Sequence, residues 1–459
     1  MTFATELERF GDRVAVQLAS GEAYSYRELA LRADSLFAPK YSGLVTPNPI
    51  AIECSNAIAP LAAYLGALRH RVPALLIDSD LDEPLREQLF ARYDIGNVFR
   101  ATGSWHQRAP DQHSKANTDL ALLLSTSGST GGPKLVRLSL DNLQANAEAI
   151  AKYLQLSTDD RPITSLPMHY SYGLSVINSH LLVGAPLLLT PESVTTRGFW
   201  NFFKEFGATS FSGVPTTYAM LKQMRFERMD LPSLRVMTQA GGRLAPDLVK
   251  WFGELAKVRQ QRFFVMYGQT EATARISYVP PEHLLDKLES IGIAIPGGAL
   301  ELIGEGGEPI AEPDSVGELC YTGPNVMMGY ALGPDDLALP DMQHGRLRTG
   351  DLAKRDRDGY FYIVGRLKRF IKVFGNRIGL DEIEHQLRED GFDAAVTGKD
   401  DLLVVAVRGE DVSPDDLAHR LSARYRIHKS AIRVRSVASF PLSSSGKVLY
   451  MDLLNELRE

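Results

Sequence analysis

Hydroxyl groups, glycines and one lysine are concentrated in residues 125–134, with the sequence STSGSTGGPK, directly after the apolar residues 122–124. Glycines let the backbone turn tightly and bring its N–H groups against an anion, and hydroxyls add neutral donors. Lys134 supplies a positive charge that can follow moving negative charge. The run therefore predicts a phosphate-holding loop, and a nucleotide is the first ligand that it indicates.

This loop differs from a Walker A motif, in which a second glycine, a lysine and a hydroxyl residue open a helix. Pro133 stands where the second glycine belongs, and Leu135 stands where the metal-binding hydroxyl belongs. An ordinary Ser/Gly-rich surface loop is the alternative interpretation. The position of the loop after a buried-looking strand favours a functional role.

Further short motifs follow this loop along the chain. They are YGQTE at 267–271, GELCYTG at 317–323, RTGD at 348–351, the segment 360–366 and PLSSSGK at 441–447. Together with residues 125–134 they resemble, in kind and in order, the motifs of the adenylate-forming superfamily. This superfamily contains acyl-CoA synthetases, aryl-acid and amino-acid adenylation domains, and luciferases. The resemblance covers most of the chain.

The resemblance implies an ATP site and the residues that would form it. The nucleotide would be bound by Thr126, Ser127, Gly128, Ser129, Thr130, Gly131, Lys134, Gly242, Tyr267, Gly268, Asp351 and Arg366. Within this set, Tyr267 would pack on adenine and Asp351 would accept the ribose hydroxyls. A core aromatic at Tyr267 and a structural turn residue at Asp351 are the alternatives.

Three residues are implied to be catalytic, namely Lys447, Thr270 and Glu271. The resemblance places Lys447 between the attacking carboxylate and the α-phosphate, and makes Thr270 a donor to the α-phosphate. Glu271 would hold Mg²⁺ between phosphate oxygens, because this hard cation prefers carboxylate oxygen. The alternatives are an exposed lysine in a C-terminal turn and a helix start, where a hydroxyl and an acid complement the helix dipole.

The acid substrate is implied to contact His169, Tyr170, Ser171, Gln239 and Gly241. Ser171 aligns with the position at which amino-acid-activating relatives usually carry an aspartate. A neutral hydroxyl cannot compensate a buried ammonium as a carboxylate would, so an α-amino acid substrate is disfavoured. Packing in the core is the alternative role for His169 and Tyr170.

Apolar strand-like runs alternate with helical runs, which is typical of parallel-sheet α/β units. Examples are strands at 50–54, 162–167 and 210–214, while Ser25 with Glu28 predicts a capped helix start. After residue 292, β-type runs separated by glycines predict a smaller β subdomain. The predicted fold is a large N-terminal α/β region with a β subdomain, plus a small mobile α+β C-terminal domain.

The domain boundary is predicted in the segment 365–368, where the chain changes character. Residues 1–367 would form the N-terminal adenylate-forming domain and residues 368–459 the C-terminal mobile domain. The resemblance makes Lys368 the hinge about which the small domain rotates between half-reactions. A surface-exposed basic pair, Arg366 and Lys368, is the alternative.

Composition is that of an ordinary globular protein, with 459 residues, 44% hydrophobic and 23% charged. The net charge of −6 gives no indication of a nucleic acid or an anionic membrane surface as a partner. Two cysteines, Cys54 and Cys320, indicate free thiols in a reducing compartment. The first residues lack the apolar core of a signal peptide, so a cytoplasmic location is predicted.

The predicted function is that of an AMP-forming acid–thiol ligase. With ATP and Mg²⁺ it would convert a carboxylic acid to an acyl adenylate and pass the acyl group to CoA or to the phosphopantetheine thiol of an acyl carrier protein. An amino-acid adenylation enzyme and a non-catalytic nucleotide-binding relative are the alternatives. Nucleotide binding alone would not need Lys134, Glu271, Asp351 and Lys447 together, which counts against the non-catalytic relative. The identity of the acid stays open.

Overall fold

A computed structural model describes residues 2–41, 48–108, 116–125, 134–367, 369–373, 376–409, 413–425, 427–442 and 448–457. The helices are α1 (Tyr26–Tyr41), α2 (Ile58–Arg69), α3 (Glu83–Arg92), α4 (Leu140–Leu154), α5 (Ser171–Val183), α6 (Arg197–Glu205), α7 (Pro215–Gln223), α8 (Pro246–Val258), α9 (Leu380–Glu389), α10 (Pro414–Tyr425) and α11 (Tyr450–Leu457).

Strands between and after these helices make up the sheets. They are β1 (Val14–Leu18), β2 (Ala23–Ser25), β3 (Ile50–Cys54), β4 (Ala74–Asp78), β5 (Asn97–Phe99), β6 (Trp105–Gln107), β7 (Leu120–Ser125), β8 (Leu135–Ser139), β9 (Leu187–Leu189), β10 (Ser210–Gly213), β11 (Val236–Gln239), β12 (Arg262–Tyr267), β13 (Ser277–Val279), β14 (Ile293–Ala294), β15 (Ala299–Ile303), β16 (Pro309–Ile310), β17 (Val316–Thr322), β18 (Gly329–Ala331), β19 (Arg346–Arg355), β20 (Phe361–Arg366), β21 (Phe370–Val373), β22 (Asn376–Gly379), β23 (Asp393–Lys399), β24 (Leu402–Arg408) and β25 (Ile432–Val437).

A seven-stranded sheet has the order β18-β8-β7-β4-β3-β5-β6. Its central strands β7, β4, β3 and β5 run parallel, because helices such as α2 return the chain across the sheet. β7 and β8 are antiparallel, and Ser125 at the end of β7 lies opposite Leu135 at the start of β8. These paired ends therefore flank the predicted phosphate loop on both sides.

A second sheet has the order β10-β11-β12-β13-β14, and its first three strands are parallel. Aromatic side chains cover it, with Tyr218 of α7 packed on Phe252 of α8 at a centroid distance of 4.8 Å. The carboxyl ends of parallel strands meet at one edge, where open α/β sheets bind ligands. Gln239 ends β11 and Tyr267 ends β12, so this edge carries two predicted site residues.

The described contacts divide the chain into two compact units. The first takes most of the chain up to Leu300, together with Tyr321–Leu347. The second takes Glu301–Cys320 and Arg348–Glu459. The predicted boundary at 367/368 stays a prediction, because Lys368 lies outside the described residues.

The C-terminal part of the second unit has a core of its own. β24 pairs antiparallel with β23 and parallel with β25. The apolar cluster around this sheet consists of residues between Ile371 and Val434, with Ile383 of α9 and Leu421 of α10 facing the strands. The predicted small α+β unit at this end of the chain is therefore present.

Local sequence signals were mostly right. Ser25 and Glu28 form the predicted reciprocal cap, since the Ser25 amide donates to Glu28 Oε2 at 2.7 Å and the Glu28 amide donates to Ser25 Oγ at 3.2 Å. The strand predicted at 162–167 is wrong, because only single bridges form there, at Pro162 and Ile163. Within the described residues, every helix is too short or too polar to cross a bilayer.

Candidate active site

The turn after β12 sets the position of the predicted catalytic pair. Gly268 follows the strand, and a Cβ on this residue would lie 1.8 Å from the carbonyl oxygen of Ala274. Only glycine allows this close approach of two backbone segments. The chain then forms a single 3₁₀ turn over Thr270–Ala272. Thr270 and Glu271 therefore begin a single 3₁₀ turn and not a longer helix, and they lie side by side in this turn.

Glu271 is joined to Lys134 through one aromatic residue, Tyr330. The Tyr330 hydroxyl donates to Glu271 Oε1 at 2.7 Å, and Lys134 Nζ lies 3.6 Å from the centre of the Tyr330 ring. Burial, helped by the charge of Glu271, raises the pKa of Tyr330 far above its ordinary value, so the phenol stays protonated and donates. The residue that ends the phosphate loop and the predicted metal ligand therefore share one partner.

The oxygen ligands of Glu271 fit the Mg²⁺ that the resemblance implies. A carboxylate has two oxygens with about four lone-pair sites, so Glu271 can accept the Tyr330 hydroxyl and still bind a cation. Mg²⁺ is usually held by one or two carboxylates plus substrate phosphates and waters. Among the described residues, no cluster of three or more His, Cys, Asp or Glu side chains could hold a metal alone.

Thr270 reaches the predicted acid side. Its Oγ1 lies 3.3 Å from Oγ of Ser171, the first residue of α5. Tyr170 precedes Ser171, and its hydroxyl fills the space beside Gly241, where a Cβ would lie 2.5 Å from that oxygen. Gly241 has φ +86°, which favours glycine on backbone grounds as well. Four predicted residues thus come together, from three segments that lie up to about 100 residues apart in the chain.

His169 and Gln239, two further predicted acid-binding residues, each carry a buried polar atom that has no hydrogen-bond partner in the described part of the chain. The atoms are His169 Nδ1 and Gln239 Oε1. Burial lowers the pKa of His169, although Asp78 Oδ2 lies 3.6 Å from His169 Nε2 and opposes the shift. Gln239 Nε2 donates to the Gly242 carbonyl at 2.9 Å. Buried polar atoms normally have partners, so both are suited to meet a ligand.

Asp351 and Arg366, the predicted ribose-binding residues, are neighbours in the second unit. They face each other across β19 and β20, and Arg366 Nε donates to Asp351 Oδ1 at 2.9 Å. The Asp351 side chain is 3% exposed and that of Arg366 is 59% exposed. Because one partner is largely in solvent, the ion pair adds little stability.

Some predicted residues lie outside the described part of the chain, and their roles stay predictions. They are Thr126, Ser127, Gly128, Ser129, Thr130, Gly131, Lys368 and Lys447. The described neighbours of the last loop are paired, since Leu442 and Val448 form an antiparallel bridge.

Two residues of this site were missed by sequence reasoning. Tyr330 lies 59 positions beyond Glu271, and no spacing rule connects the two. Arg275 is 2% exposed, and its Cζ lies 4.1 Å from the centre of the Tyr172 ring. A lone charge at the start of the apolar run 276–280 was a signal that could have pointed to Arg275.

Comparison with known proteins is consistent with this geometry. A model of the family described as AMP-binding enzyme matches residues 82–331. The chain is 30% identical to a feruloyl-CoA synthase of Amycolatopsis sp., over 94% of this chain and 93% of that protein. It is 33% identical to a sulfoacetate–CoA ligase of Cupriavidus necator, over 97% of this chain and 87% of that protein.

Solved structures share the fold. The o-succinylbenzoate CoA synthetase of Bacillus subtilis, in complex with its acyl-adenylate intermediate, superposes with a TM-score of 0.79 at 22% identity, covering 98% of this chain and 97% of that chain. The same enzyme with ATP and a magnesium ion gives 0.78 at 22% identity, covering 100% and 99%. The predicted α/β fold class, with a large N-terminal and a smaller C-terminal domain, is confirmed.

Proposed function

Because this chain belongs to the AMP-binding enzyme family, within the adenylate-forming superfamily, and is an AMP-forming ligase of acyl or aryl acids, we propose that the residues around Thr270 form its active site. The observation that carries this proposal is the 3.3 Å contact between Ser171 Oγ and Thr270 Oγ1. Adenylation requires the acid and the α-phosphate to touch. Here a residue predicted for the acid touches a residue predicted for the α-phosphate.

The first half-reaction joins the acid to AMP. A carboxylate oxygen of the acid attacks the α-phosphorus, the bond to the bridging oxygen breaks, and pyrophosphate leaves. Thr270 would donate to an α-phosphate oxygen, and Lys134 would follow the charge that moves onto pyrophosphate. Mg²⁺ held by Glu271 would supply positive charge that offsets the phosphate oxygens. Lys447 would bridge the carboxylate and the α-phosphate in this step.

The second half-reaction transfers the acyl group to a thiol. The sulfur attacks the acyl carbon, the bond between that carbon and the AMP oxygen breaks, and AMP leaves. CoA is the acceptor we propose, because the relatives are named as CoA ligases or CoA synthases. The phosphopantetheine thiol of an acyl carrier protein is the alternative acceptor. Between the two steps, rotation of the small C-terminal domain about Lys368 would move Lys447 out of the site and let the thiol enter it.

The acid itself is a separate question. The relatives are named for acids as different as those of feruloyl-CoA, sulfoacetate and oxalate, so their names do not select one. Ser171 continues to disfavour an α-amino acid, because among the described residues its side chain contacts another hydroxyl, that of Thr270, and no carboxylate. The described site offers no compensation at Ser171 for a buried ammonium.

A cytoplasmic location is part of the proposal. Cys54 and Cys320 are both buried, and neither forms a disulfide bond. Burial raises the pKa of the Cys54 thiol, which keeps it protonated and unreactive. Cysteines outside disulfide bonds accord with a reducing compartment.

Isotope exchange between ATP and pyrophosphate tests the function directly. The intact protein should exchange with at least one class in a panel of small aliphatic, aromatic, long-chain and amino acids. Thr270→Val and Lys447→Ala should each lower exchange on the order of 10²–10³-fold, since each removes a group aimed at developing charge. Lys257→Ala, at an exposed lysine of α8, is the matched control and should exchange normally.

Outcomes of this assay separate the alternatives. Exchange that needs an ammonium-bearing acid would replace the proposal with amino-acid adenylation. No exchange with any acid, by a folded protein that binds ATP, would favour the non-catalytic nucleotide-binding relative. Exchange followed by acyl transfer to free CoA would select CoA over a carrier protein as acceptor.

A further inference from the structure

Arg275 is a buried arginine whose hydrogen-bonding capacity is only partly used. It is 2% exposed, and its Nε and Nη1 atoms are buried without a hydrogen-bond partner among the residues that the structure describes. A guanidinium carries five N–H donors in one plane and cannot lose its proton in a protein. Buried charges are normally paired, because removing them from water is costly. The unused donors therefore call for an anionic partner.

The described aromatic neighbours of Arg275 within the first unit are two tyrosines, Tyr172 and Tyr153. Its Cζ lies 4.1 Å from the centre of the Tyr172 ring, and the Tyr172 hydroxyl is occupied by Thr238 Oγ1 at 2.8 Å. A cation over a ring is attracted by the electrons of the ring face, and this contact uses no N–H donor of the guanidinium in a hydrogen bond. Burial raises the pKa of the nearby Tyr153, whose hydroxyl donates to Met266 Sδ at 3.0 Å, so this second tyrosine is also uncharged.

Tyr170, on the predicted acid side of the site, lies within electrostatic range of Arg275. Burial raises the pKa of Tyr170, and the positive charge of Arg275 opposes that rise. Tyr170 and Tyr172 pack edge to face with ring centres 6.2 Å apart. Between them in the chain stands Ser171, whose hydroxyl contacts Thr270. Arg275 thus lies behind the residues predicted to receive the acid.

The backbone of Arg275 is held in place. Buried Asn325 donates from Nδ2 to the carbonyl oxygens of Ala272 and Arg275, at 2.7 and 2.8 Å. The Tyr321 hydroxyl donates to Oδ1 of the same asparagine at 2.7 Å. A charged group on so firmly held a backbone is pre-organised for a ligand, because little is lost in ordering it.

We propose that Arg275 binds a second anionic group of the acid substrate, so that the enzyme selects acids with a further carboxylate or sulfonate beside the carboxylate that is activated. This inference rests on the proposed function, since Arg275 lies next to residues of the proposed acid-binding side of that site. A planar guanidinium matches a carboxylate or sulfonate with two parallel hydrogen bonds. Acids without the second anion leave the buried donors unpaired, which sites of this kind reject strongly.

Pyrophosphate exchange with matched acid pairs tests the proposal. The pairs are propanoate with malonate, butanoate with succinate, and benzoate with phthalate. For at least one pair, kcat/KM for the dianionic acid should exceed that for its monoanionic partner by about 10²-fold or more. Equal use of both members in every pair would overturn the proposal, and so would a preference for the monoanion.

Variants of Arg275 assign the preference to this residue. Arg275→Gln should remove the preference by raising KM for the dianion more than KM for the monoanion. Arg275→Lys should keep part of the preference, because it keeps the charge but loses the planar fork. Arg197→Gln, at an exposed arginine of α6, should match the intact protein.

Several results would count against Arg275 in this role. A rise in KM for ATP in Arg275→Gln would assign the guanidinium to a nucleotide phosphate. An equal loss with both acids of a pair would make it a structural residue. If Arg275→Gln does not fold, the comparison between the intact protein and Arg275→Lys decides. Absence of exchange with every acid would overturn the proposed function itself, whereas exchange with monoanions alone would overturn only this inference.

Discussion

The hydrogen bond between Tyr330 and Glu271 can be removed by deleting a single oxygen atom, that of the Tyr330 hydroxyl. Tyr330→Phe keeps the ring that Lys134 Nζ contacts at 3.6 Å from its centre, and deletes the hydroxyl that donates to Glu271 Oε1 at 2.7 Å. A hydrogen bond to a charged group contributes about 1.5–3 kcal/mol. At about 1.4 kcal/mol per factor of ten, we expect kcat/KM for adenylation to fall about 10- to 100-fold.

The loss should depend on Mg²⁺, because Glu271 is the proposed metal ligand. With its carboxylate no longer oriented, the apparent affinity for Mg²⁺ should weaken, and added Mg²⁺ should recover part of the activity. Since burial holds the pKa of Tyr330 far above its ordinary value, the intact protein should show no loss from phenol ionisation up to about pH 9. Pyrophosphate exchange measured against Mg²⁺ concentration at fixed ATP reports both effects.

A matched control exists on the surface. Tyr24 makes the same kind of hydrogen bond to Glu22, at exposed positions, so Tyr24→Phe removes a Tyr–Glu contact without touching the site. This variant should behave as the intact protein does. If Tyr330→Phe retains full kcat/KM at every Mg²⁺ concentration, Glu271 does not depend on Tyr330, and the reasoning that links them is refuted.

Three further expectations concern the frame of the first unit. Gly268→Ala places a Cβ 1.8 Å from a backbone oxygen, so exchange should fall at least 100-fold, while Gly333→Ala, in open space, should be silent in the same assay. Burial lowers the pKa of His180 to about 4, so the unfolded chain binds a proton at higher pH than the folded protein does. The unfolding free energy, measured by urea denaturation, should therefore fall by a few kcal/mol as the pH falls from about 6.5 to about 4. His180→Gln should reduce this dependence on pH. Arg137 is fully buried and donates to the carbonyl oxygens of residues 328, 339 and 340. Arg137→Met removes these donors and should lower the unfolding free energy by about 3 kcal/mol. The control Arg197→Met should leave the unfolding free energy unchanged.

Local parts of the fold were accessible from the sequence. The strand predicted at 50–54 has the bounds of β3, and the strand predicted at 210–214 is one residue longer than β10. Apolar runs and caps act over a few residues, so the pattern contains them. The strand expected at 162–167 failed because its apolar residues are buried while its backbone bridges neighbours at only two positions.

Contacts between distant segments were not accessible in the same way. Tyr330 reaches Glu271 because β18 pairs with β8, a pairing that joins Tyr330 to Val136 across almost 200 residues. The pattern of apolar residues along β8 or β18 does not specify which strand it will pair with. Arg275 was missed for a different reason, since a single charge beside an apolar run does not show whether it turns to solvent or to a site.

The positions of Thr270 and Glu271 are fixed relative to each other because hydrogen bonds with Asn325 stabilise the strained turn that follows them. Thr273 has φ +63°, a conformation that a β-branched residue rarely adopts and that costs about 1–3 kcal/mol. Its hydroxyl donates to the Asn325 carbonyl at 2.7 Å, and the Asn325 side chain holds two carbonyls of the same turn. The strain is therefore held by one buried side chain, and Asn325→Ala should release it, lowering exchange with every acid alike. A loss confined to dianionic acids would instead mean that Asn325 acts only by positioning Arg275.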